Sequence, residues 1–166
     1  MSASQSSGSR VPAVPARVPD LQPVEPFTDG TQEAFHQYLR DTPHRLRFDD
    51  IRYDQYKQWL LQAQDSDCDN SPKLSRNEQK AHSRVLQKFY LDADEKLCYR
   101  SDGRGLRVLR DWQLFGVISN THSAIPHGGQ EKTFNIIMEQ YYGIIRPEVH
   151  WLLKHCKMGN INGSAI

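Results

Sequence analysis

The chain is poor in cysteine, in charge of one sign and in long apolar runs, and each shortage excludes a class of protein. Three cysteines among 166 residues, Cys68, Cys98 and Cys156, are too few and too odd a set for a disulfide framework, which favours a reducing compartment. A formal net charge of +1 argues against nucleic-acid binding driven by bulk charge, so any such contact has to rest on a local basic patch. No apolar run approaches the ~20 residues of a membrane span, and the mean hydropathy is −0.72. Met1–Arg17 is rich in Ser and Pro without an apolar stretch, so it does not read as a signal peptide. There is no phosphate-binding glycine loop, no G-x-S-x-G and no convincing Cys–His nucleophile pair. What is present is aromatic: three Trp, seven Tyr and six Phe supply core anchors.

Composition divides the chain. Residues 1–26 hold SASQSSGS and Pro12, Pro15, Pro19, Pro23 and Pro26, a segment too polar to offset its chain entropy by burial and therefore expected to be disordered. Residues 27–87 carry helical periodicity. Thr28 or Asp29 is placed to cap a first helix through Arg40, with Phe35, Tyr38 and Leu39 on one face. Phe48–Gln64 has Ile51, Tyr53, Tyr56, Trp59, Leu60 and Ala63 at helical spacing. The acidic stretch Asp65–Asp69 reads as a solvated loop, since it lacks the Gly and Glu of a calcium-binding loop. Ser75 and Glu78 form a capping-box pattern that opens a third helix ending at Leu86 or Lys88.

From residue 88 the period shortens. Phe89–Leu91, Leu97–Arg100 and Leu106–Leu109 are β-like runs separated by DADEK and SDGRG, which predicts a hairpin or three-stranded meander. Asp111 is a good N-cap for a helix that ends near His122. Thr133–Tyr142 has Phe134, Ile137, Met138 and Tyr141 at i, i+3, i+4, i+7, with Gly143 as its C′ residue. Pro147 suits the first turn of a last helix whose face is Val149, Leu152, Leu153 and Cys156. Residues 160–166 have no helical pattern. The fold expected is mainly α, with a small β-hairpin followed by three further helices.

Chemistry concentrates between residues 121 and 159. His122 and His127 lie five positions apart, and Cys156 follows on an amphipathic segment. Imidazole and thiolate are the ligands tetrahedral zinc prefers. His155 adjoins Cys156 and points elsewhere on a helix, and His150 is nearly two turns back, so neither replaces a missing ligand. The basic residues Lys132, Arg146, Lys154 and Lys157 are candidates for nucleic-acid contact, opposed by Glu131, Glu139 and Glu148 in the same segment. Tyr141, Trp151 and Leu152 are candidates for a protein interface, since aromatic and aliphatic anchors carry most binding energy there.

These pieces occur in a known order. KFYLDADEKLCYRSDGRGLRVL, DWQLFGVISNTH, PHGGQEKTF and YYGIIRPEVHWLLKHC resemble, in sequence and spacing, the zinc-binding HHCC domain at the N-terminus of retroelement integrases. The likeness covers under half of the chain, residues 88–159, and leaves 27–87 unassigned. It implies zinc held by His122, His127 and Cys156. It also implies a second cysteine where this chain has Gly159. No acidic metal-binding triad follows the motif, so the expectation is a non-catalytic, domesticated interaction module acting in the nucleus. Such a module makes protein contacts, homodimerisation foremost, with DNA possible and no membrane or small-molecule substrate. Two alternatives stand beside it: the N-terminal piece of an active integrase, and a zinc-free scaffold resting on its core. The spacing predicts that His122, His127 and Cys156 converge.

Overall fold

Short apolar runs separated by acidic turns build the centre of the molecule. The computed structural model describes residues 27–64, 74–125 and 129–157. Phe89–Leu91 (β1), Leu97–Ser101 (β2) and Arg104–Val108 (β3) form the expected antiparallel meander. Asp92 organises the first turn, its Oδ1 accepting from the amides of Asp94 (3.0 Å) and Lys96 (2.8 Å). Asp102 and Gly103 take the left-handed backbone that the tight β2–β3 hairpin requires.

A fourth strand departs from the sequence reading. Tyr141–Tyr142 (β4) pairs parallel with β3, giving the order β1-β2-β3-β4. The helix expected to run through Tyr142 instead stops early, as Gln130–Met138 (α5). The free edge of β3 supplies the reason. Arg107 N donates to the Gln140 carbonyl at 2.9 Å and Leu109 N to the Tyr142 carbonyl at 3.2 Å. Tyr142 also stacks on Tyr99, ring centroids 4.1 Å apart. Satisfied strand-edge donors and a stacked aromatic pair outweigh one further helical turn.

The other helices are Thr31–Asp41 (α1), Asp50–Gln64 (α2), Arg76–Lys88 (α3), Leu114–Ala124 (α4) and Arg146–Lys154 (α6). The capping box of α3 forms as read: Ser75 Oγ accepts from Glu78 N, and Glu78 Oε2 from Ser75 N at 2.8 Å. Two caps do not. Gly30, at φ 86°, precedes α1 in place of Thr28 or Asp29; the Thr28 hydroxyl pairs with the Thr31 hydroxyl at 2.7 Å instead of capping an amide. Asp111 starts a 3₁₀ turn, Asp111–Gln113, rather than capping a helix, and its amide donates to the Phe48 carbonyl at 2.8 Å. Phe48 lies outside α2, bridging to Arg110 as a buried strand-like residue. Ile51, read onto the packed face of α2, is 81% exposed, since Tyr53, Trp59 and Leu60 define that face.

Two cores result. One gathers Phe35 and Leu39 of α1 with Leu114, Ile118, Ile137, Val149 and Leu152 of α4, α5 and α6. The other gathers Tyr53, Trp59 and Leu60 of α2 and Val85 of α3 with Phe89, Leu97 and Val108 of the sheet. Each core draws on residues from both sides of the 87/88 junction, so the N-terminal helices are integral to the domain that follows them. Each fully buried large apolar side chain contributes roughly 1.5–3 kcal/mol.

Gly143 joins β4 to α6 at φ 109°, buried, with the Leu46 carbonyl oxygen 3.4 Å from where a Cβ would stand. Gly143→Ala is therefore expected to cost about 1–3 kcal/mol in a urea melt. A variant as stable as the parent would contradict that strained turn.

Candidate metal centre and its surroundings

His122 lies in the last turn of α4, and Cys156 lies just beyond α6. Phe27 connects them. Its backbone makes an isolated antiparallel bridge with Cys156, and its ring stands 6.4 Å, centroid to centroid, from the His122 imidazole. The Cys156 thiol is buried and free. The Nδ1 of His122 is buried without a hydrogen-bond partner among the described residues. Burial also pushes the His122 pKa below the usual histidine value, favouring the neutral imidazole that ligates metal. A buried imidazole nitrogen lacking a partner and a buried free thiol are each of the chemistry a zinc site uses.

His127 and Gly159 lie outside the described residues, and with them the expected convergence of the three ligands; His122 and Cys156 have Phe27 as a common neighbour. Among the described residues no group of three or more His, Cys, Asp or Glu is placed to hold a metal ion. The neighbouring imidazoles are otherwise engaged. His155 Nδ1 faces the Trp151 carbonyl at 2.7 Å and its ring stacks on Trp151, while His150 Nδ1 meets Gln130 Oε1. His155 therefore points along its own helix, as read.

The basic candidates Lys132, Arg146, Lys154 and Lys157 are all exposed. Arg146 is paired with Glu131 and lies over the Phe134 ring at 4.8 Å, so part of its charge is already met. The three interface candidates divide. Trp151 is half-buried, stacking on Tyr38 with centroids 5.1 Å apart, and Tyr141 is half-buried in β4. Leu152 is 0% exposed in the first core and offers no surface to a partner. At helical spacing from Val149 and Cys156 it lies on the inward face of α6, which sequence periodicity alone had marked as apolar without assigning its cover.

Sequence reading missed a buried polar cluster beneath this region. Glu148, in the first turn of α6, is wholly buried, and Arg47 Nε stands 2.9 Å from its Oε1. This contact is an ion pair by distance, with the N–H direction outside hydrogen-bonding geometry. Glu148 Oε2 caps its own helix by accepting from Ile145 N at 2.9 Å, and Arg47 Nη1 donates to the Leu39 carbonyl at 2.6 Å. Burial raises the Glu148 pKa to about 7, with the Ile145 amide and the Arg47 charge opposing the rise. Asp111 Oδ1 and His36 Nε2 are buried without hydrogen-bond partners among the described residues. Desolvation raises the Asp111 pKa, and the Arg47 charge pulls it back. The available signal was the N3 position of Glu148 behind Pro147. It marks a cap, but nothing local marks Arg47 as its partner from a distant loop.

A cleft of about 690 Å³ lies between α2, β3 and α4, lined among others by Arg107, Arg110, Gln113, Asn120 and Gln140. Trp112 stands 54% exposed at its rim, and its Nε1 donates to Asp50 at 3.3 Å. Arg110 lies over the Tyr53 ring at 4.1 Å and pairs with Asp50 and Asp54, so its charge is met from within the fold.

No described helix is long and apolar enough to cross a membrane. Compared with models of known families, with curated proteins and with solved structures, the chain finds no match.

Proposed function

We propose that residues 88–159 form an integrase-type HHCC knuckle serving as a non-catalytic interaction module, with His122, His127 and Cys156 as zinc ligands. The observation that carries the reading is the order and meeting of its parts. A β-meander leads into a helix ending at His122, two further helices follow, and Cys156 returns to share Phe27 with that histidine. Bound zinc would tie the end of α4 to the end of α6. Gly159 contributes no side chain, so the fourth corner falls to water or an external donor. The zinc-free scaffold is the second reading, supported by the apolar core that already holds α4, α5 and α6 together.

The activity proposed is protein contact, self-association first, in the nucleus, with DNA contact secondary. Trp151 and Tyr141, both half-buried rather than enclosed, are the aromatic residues proposed for it. Light scattering of the full chain is expected to give a dimer, and Trp151→Ala to weaken it. A strictly monomeric protein at high micromolar concentration would contradict self-association. The module proposed is non-catalytic, so no strand transfer or nicking by this chain is expected; phosphoryl transfer of that kind uses carboxylates to hold metal ions. Magnesium-dependent nicking of DNA that is abolished by mutating one of the chain's own carboxylates would overturn this.

A further inference from the structure

The charge of this protein is unevenly distributed. Helix α3 carries Arg76, Lys80, Arg84 and Lys88 against one acid, Glu78, in a chain of net charge +1, so the remainder of the chain is net negative. The four cations recur every fourth residue, at a rise of about 6 Å per step along the axis. Glu78 pairs with none of them: its carboxylate is turned back onto Ser75, whose side chain and amide hold its pKa below the usual glutamate value. None of the four forms an ion pair among the described residues, whereas Arg47, Lys57, Arg110 and Arg146 all do.

The face that carries Arg76, Lys80 and Arg84 is open. Val85, with Ala81 and Leu86 beside it, turns α3 toward the second core. On the opposite side Arg76, Gln79, Lys80, Ser83, Arg84 and Gln87 form one exposed surface. It bears no aromatic or aliphatic anchor of the kind a protein interface uses. Instead it alternates cations, which meet phosphates, with amides and a hydroxyl, which meet base edges. A helix with its side chains is about 10–12 Å across. The B-DNA major groove, at about 12 Å, admits it, and the deep, narrow A-form groove does not.

We infer that the outer face of α3 is a docking surface for duplex DNA, with Arg76, Lys80 and Arg84 on phosphates. This surface lies outside the knuckle and does not depend on zinc. Attraction is electrostatic and therefore salt-dependent. Three phosphate contacts imply an affinity falling roughly fortyfold between about 50 and 200 mM salt.

The test is fluorescence anisotropy of the full chain on a labelled duplex of about two helical turns, run across that salt range. Lys80→Ala/Arg84→Ala is expected to bind more weakly at low salt and to reduce the slope of log affinity on log salt by about two. Lys80→Gln/Arg84→Gln serves the same purpose should the alanine pair lose its circular dichroism signal. Arg40→Ala/Arg45→Ala, the same charge change on an exposed surface elsewhere, is expected to bind as the parent does. Any of several results overturns the inference: no duplex binding at low salt, unchanged binding by both α3 variants, or equal binding of duplex RNA or polyglutamate. Loss of binding in Lys154→Ala/Lys157→Ala but not in the α3 variants would also overturn it, while leaving the knuckle reading intact.

Discussion

Arg47→Ala is expected to destabilise the protein by about 3–5 kcal/mol above pH 7, where the wholly buried Glu148 is ionised and loses its counter-charge, and by less below it. It also removes the donor that Arg47 gives to the Leu39 carbonyl at 2.6 Å, so a second buried group loses its partner. Urea denaturation of parent and variant measures the loss, and a change under about 1 kcal/mol would place Glu148 in contact with water. The double variant Arg47→Met/Glu148→Gln is expected to recover much of the difference, since it removes both charges rather than one. The same pair sets a pH dependence. The folded pKa of Glu148 is about 7 against an ordinary 4.5, so the folded state binds its proton more tightly. Stability from this group is complete below about pH 4.5 and is lost as pH rises toward 7, by about 3 kcal/mol in all. Asp111, also raised by burial, acts in the same direction, and His122, whose pKa is lowered, acts in the opposite one. Glu148→Gln isolates the glutamate: the difference in stability between parent and variant should change across that window and be flat outside it.

Leu152→Asp is expected to unfold the protein outright. Leu152 is 0% exposed among Phe35, Leu39, Ile118 and Val149, and a carboxylate there would be buried without a partner. Such a group costs several kcal/mol, comparable to the whole stability of a domain this size. Trp151→Ala, one residue away, removes a half-buried ring stacked on Tyr38 and His155, and a loss of about 1–3 kcal/mol with the fold retained is expected. Thermal melts followed by circular dichroism separate the two. A folded, monomeric Leu152→Asp would mean that Leu152 faces a partner and not the core. Trp151 is therefore the position at which association and folding can be told apart.

Local signals in the chain were readable where one interaction type decided the outcome. The Ser75–Glu78 box, the three strands of the meander and the Val149–Leu152–Cys156 face each rest on short-range chemistry, and each is present. The failures lie where a distant element competes. Tyr141 and Tyr142 have helical spacing behind them, yet the free edge of β3, more than thirty residues away in sequence, draws them into a strand. Asp111 has the chemistry of a cap, but Phe48 takes its amide and burial leaves its carboxylate without a partner. Arg47 and Glu148 are a hundred residues apart, and only the packing of α6 on α1 and its following loop brings them together. For the candidate site, spacing singled out His122 and Cys156, and Phe27 as their common neighbour was not legible, because it enters from beyond the motif.

Metal content tests the central claim most directly. Elemental analysis of the purified chain should find one zinc per molecule, and cobalt substituted for it should show a thiolate-to-metal charge-transfer band. That band and the bound metal should both be lost in Cys156→Ala, in His122→Ala and in His127→Ala. A chain that takes up no zinc or cobalt, and whose melting temperature is the same with zinc as with a chelator, would contradict the knuckle and leave a scaffold held by its core alone.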